Sequence, residues 1–316
     1  MNNFIMVNKK FFLIFLITIG YLSSLQGTEI GKKEILIVDF GMNARGLHIG
    51  SEFSKILNSE KHSSLLTESL MNELAKDPYF KKVEQLKIEN LRSEGDSKPL
   101  IAELLKNEKA KESEYLVVIE IEQIELSKKK DKRIKPTTND ETADGEVEEF
   151  EELKGRYVVN LKIVDVNTAK VIYADKVSQM EVECINEDEK MTMESFFKNL
   201  EKNLLKQLKT RIFETIRPIK VARVYQGYAY LERGGIDMDA SLKVGMKMGV
   251  FIPSRPSVDV KTGEIIGDME YMIGELQIIE VLPKSLKVRI MKYSRPVEVG
   301  FICRRIFETE NKKCSK

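Results

Sequence analysis

Apolar residues at Met193, Phe196, Phe197, Leu200, Leu204, Leu208, Ile212 and Ile216 keep three- or four-residue spacing until Arg217-Pro218. That stripe predicts one long helix with a single apolar side that something must cover. It also divides the chain. Before it, short apolar strands alternate with helical stripes; after Pro218 only short strands follow, punctuated by Gly227, Gly234, Gly235, Gly245, Gly249, Gly263, Gly267, Gly274 and Gly300. With 316 residues and a 42% hydrophobic share, the chain is long enough for two packed cores. The expected fold class is α+β: an amino-terminal α/β sandwich, then a small carboxy-terminal β-barrel.

Within the first part, residues 35–40 (ILIVDF) read as a buried strand and the Gly-rich 41–50 as a loop. Leu65, Leu66, Leu70, Met71 and Leu74 form a helical stripe that Asp77-Pro78 stops. Val83 and Leu86 suggest a second strand. Pro99 opens a short helix carrying Leu100, Ile101, Leu104 and Leu105. Residues 115–126 alternate as a strand, and 156–166 with 170–183 form a hairpin turned at Asn167-Thr168. In the second part, strands are expected at 219–225, 228–232, 248–253, 272–281, 285–291 and 298–305.

Between the strand at 115–126 and the hairpin, the basic run Lys128, Lys129, Lys130, Lys132, Arg133 and Lys135 precedes the acidic run Asp140, Glu141, Asp144, Glu146, Glu148, Glu149, Glu151 and Glu152. The reading is a charged, disordered insertion at 127–152. Its arms attract each other, it buries little surface and it is dispensable for folding; a docking arm for a charged partner is the competing reading.

The amino terminus has the layout of a secretory signal peptide: Lys9 and Lys10, an apolar core from Phe11 to Ile19, then small residues to Gly27. A retained anchor is the alternative, but the run is shorter than the ~20 residues of a spanning helix. No Cys stands near the expected cleavage point, so no lipid anchor is expected. The mature chain is expected to be periplasmic, with no membrane-spanning segment.

Chemistry is sparse. The net charge of +1 and the excess of Lys over Arg argue against nucleic acid as a partner. No phosphate loop, dinucleotide fingerprint, nucleophile elbow, H-E-x-x-H or C-x-x-C is present. His48 and His62 read as surface residues and Asp237 and Asp239 as a turn. The three cysteines, Cys184, Cys303 and Cys314, permit one internal disulfide without demanding it. Cys303 reads as a small core residue, and Cys314 lies in a polar tail. No catalytic, cofactor-binding or metal-binding residue is assigned, no cofactor is expected, and the chain is read as a non-enzyme.

Four stretches, ILIVDF at 35–40, SSLLTESLMNELAKDPYFKKVEQ at 63–85, SEYLVVIEIEQIE at 113–125 and VVNLKIVDVNTAKVIYADKVS at 158–178, resemble the CsgG family and its relatives. Those relatives include the TolB amino-terminal domain, the penicillin-binding-protein activator LpoB and the flagellar protein FlgT. Residues 242–281 and VGFICRR at 299–305 resemble the carboxy-terminal domain of FlgT-like proteins. In that pattern Lys261-Thr262-Gly263 closes a hairpin and Gly274 begins the next strand. Between the signal peptide at 1–27 and a polar tail at 307–316, the resemblance implies a CsgG/TolB-N-like domain at 33–216 and an SH3-like barrel at 217–306. The implied role is a periplasmic scaffold whose partners are envelope or flagellar motor proteins, with a homo-oligomer or ring open to it. An LpoB-like activator of a peptidoglycan synthase is the alternative, then a CsgG-like secretion component, and last an envelope hydrolase or ligand-binding protein. The lipid anchor and membrane hairpins of CsgG pores and the extra amino-terminal domain of FlgT are missing from the pattern.

Overall fold

The computed structural model describes residues 33–42, 47–49, 59–87, 101–134, 147–186, 191–232, 242–258 and 265–307. The signal peptide, Asp237, Asp239, the Lys261–Gly263 turn and the tail beyond Phe307 lie outside the described residues.

The fold is α+β and mostly sheet. Strands β1 (Lys33–Met42), β2 (Leu47–Ile49), β3 (Phe80–Lys87), β4 (Tyr115–Ile134), β5 (Val147–Asp165) and β6 (Lys170–Asn186) form one sheet. Its order is β3-β1-β4-β5-β6, with β2 paired to the far part of β4. The first strands run parallel, and β4-β5-β6 is an antiparallel meander. Helices α1 (Ser59–Ala75) and α4 (Met193–Ile216) cover one face; α2 (Ile101–Leu104) and α3 (Glu108–Glu112) lie on the other. Because side chains alternate along a strand, β1 feeds both layers: Ile35 and Ile37 join the α1/α4 core, Leu36 and Val38 the opposite one.

Helix α4 forms where the apolar stripe predicts it. Thr192 caps its start, its side chain accepting from the Ser195 N–H at 3.2 Å. Phe196, Phe197, Leu200, Leu204, Leu208 and Ile212 are all buried against the sheet. The helix sits close because β5 carries Gly155 beneath it. A Cβ there would lie 2.8 Å from Leu200 Cδ2 and from Phe196 Cε1.

Beside that contact, Tyr157 is fully buried and stacked on Phe197 at 6.0 Å, yet its hydroxyl has no hydrogen-bond partner among the described residues. Burial pushes its pKa well up. Removing an orphaned buried hydroxyl relieves a desolvation cost. Tyr157→Phe is therefore expected to leave stability unchanged or raise it by about 1 kcal/mol. A loss of more than about 1 kcal/mol in denaturant unfolding would show that the hydroxyl has a partner.

The charged stretch corrects the sequence reading. It is no disordered insertion over 127–134 and 147–152, where the β4–β5 ladder continues from Ser127↔Lys154 to Ile134↔Val147. Backbone hydrogen bonds need no apolar side chains. The two charge runs also face each other: Lys130 stands opposite Glu151 and Lys132 opposite Glu149, with the Lys132 and Glu149 side chains 2.6 Å apart. Phe150 within it is buried, so the ribbon is not wholly solvated. Residues 41–50, expected as loop, contain the end of β1 and all of β2.

After α4 the chain forms a closed barrel in the order β10-β11-β8-β7-β12-β9. Its strands are β7 (Ile219–Tyr225), β8 (Tyr228–Glu232), β9 (Lys247–Val258), β10 (Ile265–Val281), β11 (Ser285–Tyr293) and β12 (Ile302–Arg305). The core gathers Val221, Leu231, Met248, Val250, Leu276, Ile278, Leu286, Val288 and Cys303. Gln226 (φ 46°) and Gly227 (φ 78°) make the two-residue β7–β8 turn, which needs positive φ at both positions. Gly274 does not begin a strand as expected but lies inside β10. A Cβ there would meet the Lys292 carbonyl oxygen at 2.5 Å, so the absent side chain lets β11 approach.

Candidate docking surfaces and the joint between the domains

The end of α4 and the last barrel strand meet in a buried ionic joint. Glu214 lies in the last turn of α4 and is 1% exposed. Its carboxylate accepts from Arg305 Nε at 2.7 Å and from the Arg305 backbone N–H at 3.2 Å. Arg304 donates from Nε and Nη2 to the Glu270 carboxylate of β10 at 2.6 and 2.5 Å, and from Nη1 to Thr215 Oγ1 at 3.2 Å. Its guanidinium also covers the Tyr173 ring of β6 at 5.3 Å. Arg305 cannot keep its acceptor if the barrel rotates on α4. Bidentate and stacked contacts of this kind fix an orientation as well as supplying energy.

Cys303 sits between these arginines and the barrel core as a buried free thiol. Burial, with the Glu214 charge adding, pushes its pKa up, so it stays a thiol and is a poor nucleophile. Cys184 on β6 is disulfide-bonded.

Next to the joint a groove of about 650 Å³ separates α4 and β6 from the barrel. Its β6 wall is Gln179–Glu183, and its α4 side carries Asn199, Lys202, Asn203, Lys206 and Gln207. On that side Gln207 donates to Gln179 and Asn203 to Glu181, joining α4 to β6. At the barrel, Tyr271 and Tyr293 are 60% and 64% exposed, with Met272 and Met291 beside them in sequence and also exposed. All four lie at the end of the β10–β11 ladder where Gly274 pairs with Tyr293.

The residues weighed from sequence are not drawn into one centre. His48 belongs to β2, opposite Glu125 of β4, and His62 to the first part of α1. Among the described residues no cluster of three or more His, Cys, Asp or Glu could hold a metal ion. No helix among them is long and apolar enough to cross a membrane. Sequence reasoning missed the joint. The available signal was Glu214 inside the apolar end of α4 and two successive arginines closing an apolar strand.

No family model and no curated protein matches the chain. Among solved structures, it is similar to a putative neuraminyllactose-binding hemagglutinin homolog from Helicobacter pylori, at 11% identity and a TM-score of 0.34, over 59% of this chain and 83% of that one. It is similar to a PelC dodecamer subunit from Paraburkholderia phytofirmans at 9% identity and a TM-score of 0.24, over 59% and 88%. It is also similar to the LpoB carboxy-terminal domain from Salmonella enterica at 16% identity and a TM-score of 0.24, over 50% and 90%. None of these similarities carries a function to this chain.

Proposed function

We propose that this chain is an exported, non-enzymatic, FlgT-like scaffold of the periplasm that holds envelope or flagellar motor proteins together by docking. The observation that carries the reading is the combination of a locked joint and an exposed aromatic end on the barrel. Arg305 on Glu214 and Arg304 on Thr215 tie the barrel to α4, with Glu270 holding Arg304 from within the barrel, while Tyr271, Met272, Met291 and Tyr293 leave large apolar side chains in water. Exposed apolar residues grouped in this way are typical of protein-binding surfaces, and aromatic side chains dominate the energetics of such surfaces. The signal-peptide layout of Lys9, Lys10 and Phe11 to Ile19 supports export, and the disulfide at Cys184 suits an oxidising compartment.

The test is complementation of a deletion strain with the Tyr271→Ser, Tyr293→Ser double variant. Both side chains are exposed, so stability should move by no more than about 0.5 kcal/mol. Loss of an aromatic anchor of this kind costs about 2 kcal/mol or more of binding, roughly a thirtyfold weakening. The expected result is a folded, abundant protein that fails to restore motility. Failure to restore cell shape, with motility normal, would move the reading to the peptidoglycan-synthase activator. Full complementation would remove the barrel end from the docking surface.

A further inference from the structure

Along β7, β8 and β11 burial alternates: Val221, Ala229, Leu231, Leu286 and Val288 point into the barrel core and their neighbours point out. Strand register then sets six outward side chains in two rows. Arg223 stands opposite Tyr230, and Tyr230 opposite Lys287; Tyr225 stands opposite Tyr228, and Tyr228 opposite Arg289. Two of the cations lie over tyrosine rings. The Arg223 guanidinium is 5.6 Å from the Tyr225 centroid, and Lys287 Nζ is 5.3 Å from that of Tyr228. Arg223, Tyr225 and Arg289 are exposed. Among the described residues none of the three cations is ion-paired. The first sheet is different: there Lys132 meets Glu149 and Lys176 meets Glu122.

From this arrangement we propose that the outward face of β7, β8 and β11 binds an extended acidic segment of a partner protein, with Arg223, Lys287 and Arg289 taking its carboxylates.

The chemistry selects that occupant. Unpaired cations call for anions, and arginine forks suit carboxylates. The Tyr225 and Tyr228 rings already carry cations, which makes them poor platforms for stacking a base or a sugar. A net charge of +1 leaves no wide basic field for a long polyanion. Spacing also fits a peptide. Lys287 and Arg289 lie two residues apart on β11, about 7 Å, the separation of side chains at alternate positions of an extended segment. Arg223 lies two strands across, about 10 Å from Lys287. The face runs on into the exposed aromatic end, since β11 continues from Arg289 to Met291 and Tyr293. Acids on the partner would meet the cations while its apolar residues meet that end.

The biological meaning rests on the docking role above, and direct binding separates the two. Fluorescence anisotropy of the purified protein, with a labelled peptide of about ten residues alternating Glu and Ser, should show saturable binding below about 1 mM at low salt. Replacing every Glu of the peptide by Gln should weaken it at least tenfold. So should Arg223→Ser with Arg289→Ser, at an unchanged unfolding midpoint, because both side chains are exposed. Lys202→Ser with Lys206→Ser on α4, and Tyr271→Ser with Tyr293→Ser, should bind the peptide as wild type does. No binding by the wild type would overturn the proposal and leave the complementation test of the aromatic end untouched. Equal affinity for the Gln peptide, no loss in the arginine variant, or the same loss in the α4 lysine variant would also overturn it. So would tighter binding of an oligothymidylate or a polygalacturonate of equal charge.

Discussion

Glu214→Ala is expected to be among the most destabilising single changes in this chain, costing about 3–5 kcal/mol. The substitution removes the acceptor of Arg305 Nε and of the Arg305 backbone N–H while both stay buried. Most of the cost is the loss of a charge-assisted partner from a buried guanidinium. An ion pair out of water gains little over a well-packed apolar pair, so Glu214→Met with Arg305→Met should recover much of the loss. Denaturant unfolding should show more than magnitude. If the joint couples the domains, wild type unfolds in one transition and Glu214→Ala in two, the barrel separating from the α4-covered sheet. A single transition with a loss under about 1 kcal/mol would mean the carboxylate is not the acceptor described.

Gly155→Val should destabilise by about 1–3 kcal/mol although valine suits a strand better than glycine. The opposing effects predict opposite signs, which makes the experiment decisive. Strand propensity alone predicts a gain. The close approach of α4 predicts a loss, because the new Cβ meets Leu200 and Phe196 at 2.8 Å and neither side chain, both fully buried, has room to turn aside. Relief by shortening the helix side supports the same geometry: Leu200→Ala should be less harmful on the Gly155→Val background than alone. Additive losses would contradict direct contact.

Much of this fold can be read from local pattern. The α4 stripe, the β5–β6 hairpin and the run of short strands after Pro218 are visible because one period of apolar residues matches one covered face. The charged half of the β4–β5 ribbon is not, because a strand paired on its edges can be polar on both faces, and Lys128–Lys132 reads as solvated chain. Extension of β9 to Val258 and of β10 back to Ile265 is hidden for a similar reason. There Pro253, Pro256 and Gly267 look like turn residues, yet β9 and β10 still pair across them with register shifts. The joint is the least legible part. Glu214 and Arg305 are 91 residues apart, and nothing in local periodicity relates a helix carboxylate to the arginines of the last strand. Cys184 is similar: spacing among three cysteines carries no geometry.

The central claim is that this protein works through surfaces held by the joint, with no side chain performing a chemical step. The most direct measurement is complementation by a full-length chain carrying His48→Ala, His62→Ala, Asp237→Ala and Asp239→Ala together, compared with Tyr271→Ser, Tyr293→Ser at matched abundance. The account predicts that the fourfold variant restores the phenotype to near wild type and the tyrosine variant does not. A folded, abundant fourfold variant that fails, beside a tyrosine variant that succeeds, would contradict it.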